Sequence, residues 1–136
     1  MARSLLTGRR GRGLIRVLVV AALSVLLPAA GRAADAARGA DLFDNYCSEC
    51  HTTRAGGGSR SAPNLFELMG RRTGAVEGFA YSDANRNAGW VWSPDTLDPY
   101  LTAPKTAMPG TVMKFQGVKD PGERADLIAF LATLHK

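Results

Sequence analysis

Two cysteines stand two residues apart and are followed at once by a histidine, in the run Cys47-Ser48-Glu49-Cys50-His51. A Cys-x-x-Cys pair can exchange a disulfide in a thioredoxin-like site, supply half of a zinc site, or anchor a haem through two thioethers. The histidine separates these chemistries. A zinc site needs two more ligands nearby, and the other histidine of the chain, His135, sits at its far end. A thioredoxin-like pair follows a strand within βαβ units, and no strand-like run leads into Cys47. The spacing is that of haem attachment, in which two sulfurs reach along one edge of the macrocycle and the next residue turns over its face. One covalent haem c per chain is therefore expected, bonded through Cys47 and Cys50 with His51 as the proximal iron ligand.

The chain that must position this motif has 136 residues, enough for one domain. Its beginning differs in character from the rest. Arg3, Arg9, Arg10, Arg12 and Arg16 precede an apolar run from Val17 to Leu27, then Pro28 and small residues from Ala29 to Ala34. That is the layout of a secretory leader. The small-x-small triplet Gly31-Arg32-Ala33 places the cut after residue 33, with Ala30 as the rival position. The expected division is a cleaved leader over 1–33 and a domain over 34–136. The apolar run falls short of the about 20 residues that a spanning helix needs, so no stable membrane anchor is expected.

The net charge of +5 comes from this leader. Six of the 17 basic residues and none of the 12 acidic ones lie before Asp35, which leaves 11 cations against 12 anions, about −1, in the domain. That balance removes nucleic acid as a partner. Two cysteines in an exported protein would ordinarily form a disulfide; here they read as thioether donors. A domain of this size buries only about two-thirds of its unfolded surface, and a haem would supply a large apolar plate at its centre. Without haem the polypeptide is expected to fold poorly.

Helical signals flank the motif. From Ala36, Gly39, Leu42, Phe43 and Tyr46 recur at three-to-four-residue spacing and predict a first helix, with Phe43 and Tyr46 read as core. Gly39 suits close approach of another helix. The partner is a last helix opened by Asp120-Pro121-Gly122-Glu123 and striped by Leu127, Ile128, Leu131 and Leu134. Thr52 to Ala62, with three glycines in a row, reads as a loop. Pro63 is expected to start a short helical piece from Asn64 to Met69, stopped by Gly70. Ser82-Asp83-Ala84-Asn85 opens a further short turn of helix ending at Gly89, and Ser93-Pro94-Asp95-Thr96 a better-marked helix that ends before Pro104. Pro99 falls inside that helix, where it removes a donor and should kink the axis. The predicted class is mainly α.

The second face of a haem iron is either closed by a ligand or left open, which separates electron carriers from gas binders and oxidants. Downstream of the leader lie Met69, Met108 and Met113. Any of them could simply fill a core. Met113 ends Pro109-Gly110-Thr111-Val112-Met113, a rigid turn able to present a thioether sideways, whereas Met69 reads as helical and Met108 is held extended by the proline after it.

The chain resembles the class I cytochromes c, in particular the mitochondrial-like short soluble type of bacteria. The matching residues are Cys47 to His51, Ala62-Pro63-Asn64-Leu65, Gly70-Arg71-Arg72-Thr73-Gly74, Gly78 to Asn85, Trp92, Tyr100-Leu101, Pro104-Lys105, Pro109 to Met113 and Asp126 to Leu131, in order and with family-like spacing. The resemblance implies terminal helices that cross, with loops and short helices wrapped around one haem. It makes Met113 the distal ligand, with Met108 as the rival. It implies that the Pro63 carbonyl accepts from His51, that Arg71, Tyr81 and Trp92 surround a haem propionate, and that Asn85, Tyr100 and Thr111 form a polar network beside the methionine sulfur. It departs in a thin ring of cations, reduced to Lys105, Lys114, Lys119 and Arg60, with Val112 and Asp120 where positive residues are often found.

The expected function is that of a monomeric, periplasmic monohaem electron carrier and not an enzyme. The resemblance implies a quinol-oxidising bc complex as donor and a terminal oxidase or photosynthetic reaction centre as acceptor; a carrier dedicated to one periplasmic dehydrogenase is the alternative. A haem-based gas binder or sensor would leave the sixth position empty, against the Pro-Gly-Thr-Val-Met run. A peroxidase would bring a second Cys-x-x-Cys-His or an open distal pocket with an acid/base residue, and neither is visible.

Overall fold

The two ends of the chain meet at a glycine. The computed structural model describes residues 32–136; of the expected leader, residues 1–31 lie outside that range. Helix α1 (Ala36–Tyr46) begins where the Asp35 side chain accepts the backbone N–H groups of Ala37 at 2.9 Å and Arg38 at 3.3 Å. Helix α5 (Pro121–Ala132) begins in the same way, the Asp120 carboxylate accepting the Glu123 N–H at 2.8 Å with proline in the first turn. They pack together at Gly39, where a Cβ would lie 2.0 Å from the Asp126 carbonyl oxygen and 2.7 Å from the Phe130 Cβ. Only hydrogen fits there. One turn on, the rings of Phe43 and Phe130 meet at 5.4 Å.

Between these ends run α2 (Asp83–Asn87), α3 (Pro94–Thr102) and α4 (Pro104–Ala107). Ser82 caps α2 by accepting from Asn85 N–H. Ser93 and Thr96 cap α3 reciprocally, each side chain accepting the other's backbone N–H. Pro99 lies on the exposed side of α3, and the Thr102 hydroxyl donates to the Asp98 carbonyl at 2.7 Å. Helix α3 buries Leu97, Tyr100 and Leu101; α5 buries Leu127, Ile128 and Leu131; Leu68, Trp92, Met108 and Val118 complete the core. Arg124 ties the two helices, donating to Asp98 at 2.6 Å and to the Val118 carbonyl at 3.0 Å. Among the described residues no strand forms, and one isolated bridge joins Arg72 to Val91.

Two expectations fail, and one helix goes beyond them. Asn64 to Met69 is a succession of turns and not a helix, because the Asn64 side chain captures the Phe66 N–H at 2.6 Å and Glu67 adopts φ 55°. Met69 is consequently not helical. Helix α4 was not anticipated: Ala103 is extended before proline, and buried Pro104 restarts the helix with its preset φ. Tyr46 is 49% exposed rather than core. It is the last residue of α1, and its ring lies 6.1 Å from that of Phe115 at the edge of the cavity described below.

Glu67 gives a direct test of backbone strain. It is the one described non-glycine residue with positive φ, and its side chain is exposed. A left-handed conformation costs an L-residue about 1 kcal/mol or more relative to glycine. Glu67→Gly is expected to stabilise the holoprotein by about 1 kcal/mol, a rise in Tm of about 5 °C. Calorimetry of the two proteins checks it, and an unchanged or lower Tm would show that Glu67 contacts outweigh the strain.

Candidate haem site

Helix α1 ends in a tight turn that carries the whole Cys-x-x-Cys-His motif. The Cys47 and Ser48 N–H groups both return to the Phe43 carbonyl, at 2.8 and 3.0 Å, and the Cys50 and His51 N–H groups to the Cys47 carbonyl, at 3.1 and 2.9 Å. This winding brings Cys47, Cys50 and His51 onto one cavity wall. The two thiols are free. Burial, reinforced by the neighbouring Cys50, pushes the Cys47 thiol up to about 12. A redox or metal-binding cysteine needs the opposite, a lowered pKa that yields thiolate at neutral pH.

The next segment fixes the histidine. Ala62 N–H donates to the Cys50 carbonyl at 3.2 Å and Leu65 N–H to the Thr52 carbonyl at 2.8 Å, which lays Pro63 against the motif. His51 Nδ1 is 2.7 Å from the Pro63 carbonyl, so Nδ1 carries the proton and Nε2 keeps its lone pair. Burial holds the imidazole below its ordinary range; the Pro63 carbonyl opposes this and nearby Arg71 adds to it. A neutral ring with a free Nε2 is the form a metal accepts.

The cavity has a volume of about 620 Å³, within the 300–1,000 Å³ typical of cofactor sites. Leucines from three parts of the chain line it: Leu65 and Leu68, Leu97 and Leu101, Leu127 and Leu131. Met113 lies on its wall and Met69 and Met108 do not; Met108 is 3% exposed, inside the core. The Tyr100 hydroxyl donates to Met113 Sδ at 3.4 Å and lies 3.2 Å from Thr111 Oγ1. Asn85 Nδ2 reaches the same Thr111 oxygen at 3.5 Å. Burial raises the Tyr100 phenol above its usual range, so it remains a donor. Elsewhere on the wall stand Arg71, Tyr81 and Trp92. Arg71 is braced by the Phe66 and Asn64 carbonyls at 2.9 and 2.8 Å. Trp92 packs against Tyr100, their rings 5.1 Å apart.

The donor set fits a covalent haem. Paired thiols sit beside an imidazole whose outer nitrogen is already bonded, a thioether shares the same wall, and the space between is apolar. Sequence reasoning left out several wall residues: Tyr46, Phe79, Ser82, Leu97, Val112 and Leu127. The apolar stripe of α5 carried a signal for Leu127; Phe79 and Ser82 fall within the matching run Gly78 to Asn85, and Ser82 was read there only as a helix start. Val112 is 70% exposed and Tyr46 also stands open to solvent, so two apolar side chains mark the mouth. All four named cations, Lys105, Lys114, Lys119 and Arg60, are exposed, and of them Lys114 lines the cavity. Lys119 donates to the Thr102 carbonyl and Arg60 to the Ser48 carbonyl.

Comparison with known proteins agrees with this geometry. The cytochrome c family profile matches residues 36–135. The chain is 50% identical over 97 residues to a cytochrome c of Cochliobolus lunatus, covering 71% of this chain and 90% of that protein. It is 50% identical over 97 residues to a cytochrome c of Arabidopsis thaliana, at 71% and 87% coverage. With a cytochrome c of Chlamydomonas reinhardtii it shares 50% over 99 residues, at 73% and 88%. A match over nearly all the described residues, on a mainly helical fold with two free thiols beside a histidine at one apolar cavity, has one reading: the chain belongs to the cytochrome c family, as a class I cytochrome c.

Proposed function

We propose that this cytochrome c is an exported, periplasmic carrier of single electrons, with haem bonded to Cys47 and Cys50 and its iron held between His51 and Met113. The observation that carries the reading is that His51 and Met113 line one apolar cavity, each with its second contact already made, to the Pro63 carbonyl and from the Tyr100 hydroxyl. When bound, the haem supplies a reversible one-electron couple. The protein's part is to keep both ligands in place in either state and to exclude water. Pro63 fixes the tautomer and orientation of His51. Tyr100, steadied by Thr111, holds the thioether, and a thioether in an apolar cavity favours the reduced state. Arg71, Tyr81 and Trp92 offer the polar groups that a buried propionate requires.

The family match begins at residue 36, leaving the arginine-rich, apolar first segment outside it, which supports export. A quinol-oxidising complex as donor and a terminal oxidase or reaction centre as acceptor fit a carrier in that compartment. Optical spectra of both redox states with and without carbon monoxide separate this reading from a gas binder. A closed sixth position leaves the reduced spectrum unchanged by the gas; prompt formation of a carbonyl adduct would refute ligation by Met113.

Docking gives a further expectation. Transient electron-transfer complexes are small, and charge near their edge acts chiefly on encounter rate. With Lys114 on the cavity wall, Lys105 exposed, and Lys119 and Arg60 each engaged with a backbone carbonyl, steering is local. The second-order rate with a membrane cytochrome oxidase is expected to fall with added salt. Lys105→Glu with Lys114→Glu is expected to slow it several-fold at low salt and leave the reduction potential nearly unchanged. A salt-independent rate with an unaffected double variant would place docking on the apolar rim or on another face.

A further inference from the structure

The Asp126 side chain is fully buried, at the point on α5 where Gly39 packs. A carboxylate buried without a cation is strongly destabilising, and the groups that satisfy this one come from the first turn of α1 and the segment that leads into it. Oδ1 accepts the Asp35 backbone N–H at 2.7 Å; Oδ2 is paired with Arg32 and lies 3.5 Å from Arg38 Nε. The Asp35 N–H, with Arg32 and Arg38 behind it, holds the carboxyl below the usual carboxylate range.

One of these partners conflicts with the expected processing. Hydrolysis of the Ala33–Ala34 peptide bond removes Arg32 with the leader. Water supplies the new carboxylate of Ala33, and the same event leaves an α-ammonium on Ala34. That nitrogen is one residue ahead of Asp35, whose own N–H already reaches Oδ1, and consecutive backbone nitrogens are separated by only about 3–4 Å. The surroundings suit a cation. Ala34 shares a shallow cavity with Asp95 and Asp98 of α3 and with Ala125, Ile128 and Ala129 of α5. Asp98 is engaged by Arg124; Asp35 caps α1; Arg38, half exposed and at 3.5 Å, is the competing cation.

We propose that Asp126 is the binding site for the chain's own processed N-terminus: the α-ammonium of Ala34 takes the place of Arg32 on the buried carboxylate and locks α1 against α5. This rests on the export reading. Removal of the leader then completes the helix crossing instead of leaving it one cation short, and the mature fold senses that processing has occurred.

The test uses the full chain, leader included, produced in a haem-attaching bacterium. Fractionation and intact mass locate the protein and its first residue, and the rate of α-amine acylation at neutral pH is compared between the folded holoprotein and the same chain unfolded in guanidinium. Raising the amine pKa by one unit from its ordinary value near 8 lowers the free-amine fraction about tenfold. The expected result is a periplasmic protein beginning at Ala34, acylated about tenfold more slowly folded than unfolded, with the difference largely lost in Asp126→Asn. A mature chain that keeps Arg32, an Ala34 amine of ordinary reactivity, or equal protection in parent and Asp126→Asn would each overturn the proposal and leave export standing. An uncut chain retained in the cytoplasm would overturn both. The folded-to-unfolded comparison in the parent stands even if Asp126→Asn does not fold.

Discussion

Replacing Cys47 and Cys50 together with alanine is expected to give a chain with no covalent haem and no stable fold. The magnitude follows from the cavity. Residual void in a core costs about 24 cal/mol per Å³, so the space of about 620 Å³ corresponds to about 15 kcal/mol on that scale. Because the cavity opens to water at its mouth, this is an upper bound, to be set against a whole stability of about 5–15 kcal/mol for an ordinary domain. Leu68, Leu97, Leu101, Leu127 and Leu131 would lose their common partner at once. Mass spectrometry and far-ultraviolet circular dichroism check the outcome. A compact haem-free protein with native helical content would mean that the polypeptide closes its own core.

The second large effect separates two methionines five residues apart. Met113→Ala is expected to abolish the sulfur-to-iron charge-transfer absorption of the oxidised protein and to lower its reduction potential, because Met113 is on the cavity wall and receives the Tyr100 hydroxyl. Met108→Ala is expected to keep both and instead to lose about 2–5 kcal/mol of stability, since Met108 is buried in the core away from that wall. Optical spectra, potentiometry and chemical unfolding of both variants give the full comparison. Loss of the absorption in Met108→Ala, with the band intact in Met113→Ala, would move the ligand.

The legible parts of the fold were those whose cause is local. Ser82, Ser93 and Asp120 cap the helices that their sequence positions announce, because a side-chain acceptor two or three residues ahead of free N–H groups acts without help from the rest of the chain. Gly39 was legible as a close contact for a similar reason. Asn64 to Met69 misled because Pro63 and Gly70 mark its two ends as they would a helix's, while a single side-chain bond to Asn64 diverts the backbone. Arg124 and Asp126 could not be placed from sequence. A charged residue within an apolar stripe is ordinarily solvated, and what buries these two is where α1 and α3 arrive. At the site, the motif announced its own chemistry, whereas the cavity wall was assembled from residues as distant as Tyr46 and Leu131, whose meeting no spacing records.

The crossing of α1 with α5 also imposes an order on events. A chain that crosses a membrane with its N-terminal part first brings Cys47 and Cys50 out while the residues of α5 are still to follow. Until Asp126 and Phe130 arrive, Gly39 and Phe43 have nothing to pack against, and a lone helix of 11 residues is marginal in water. The motif therefore sits on a slack segment for as long as the last helix is missing, and closure leaves Cys47 partly covered and Cys50 exposed. The arrangement sets an order: the prosthetic group can be joined to a slack chain, and docking of α5 then closes the fold around it.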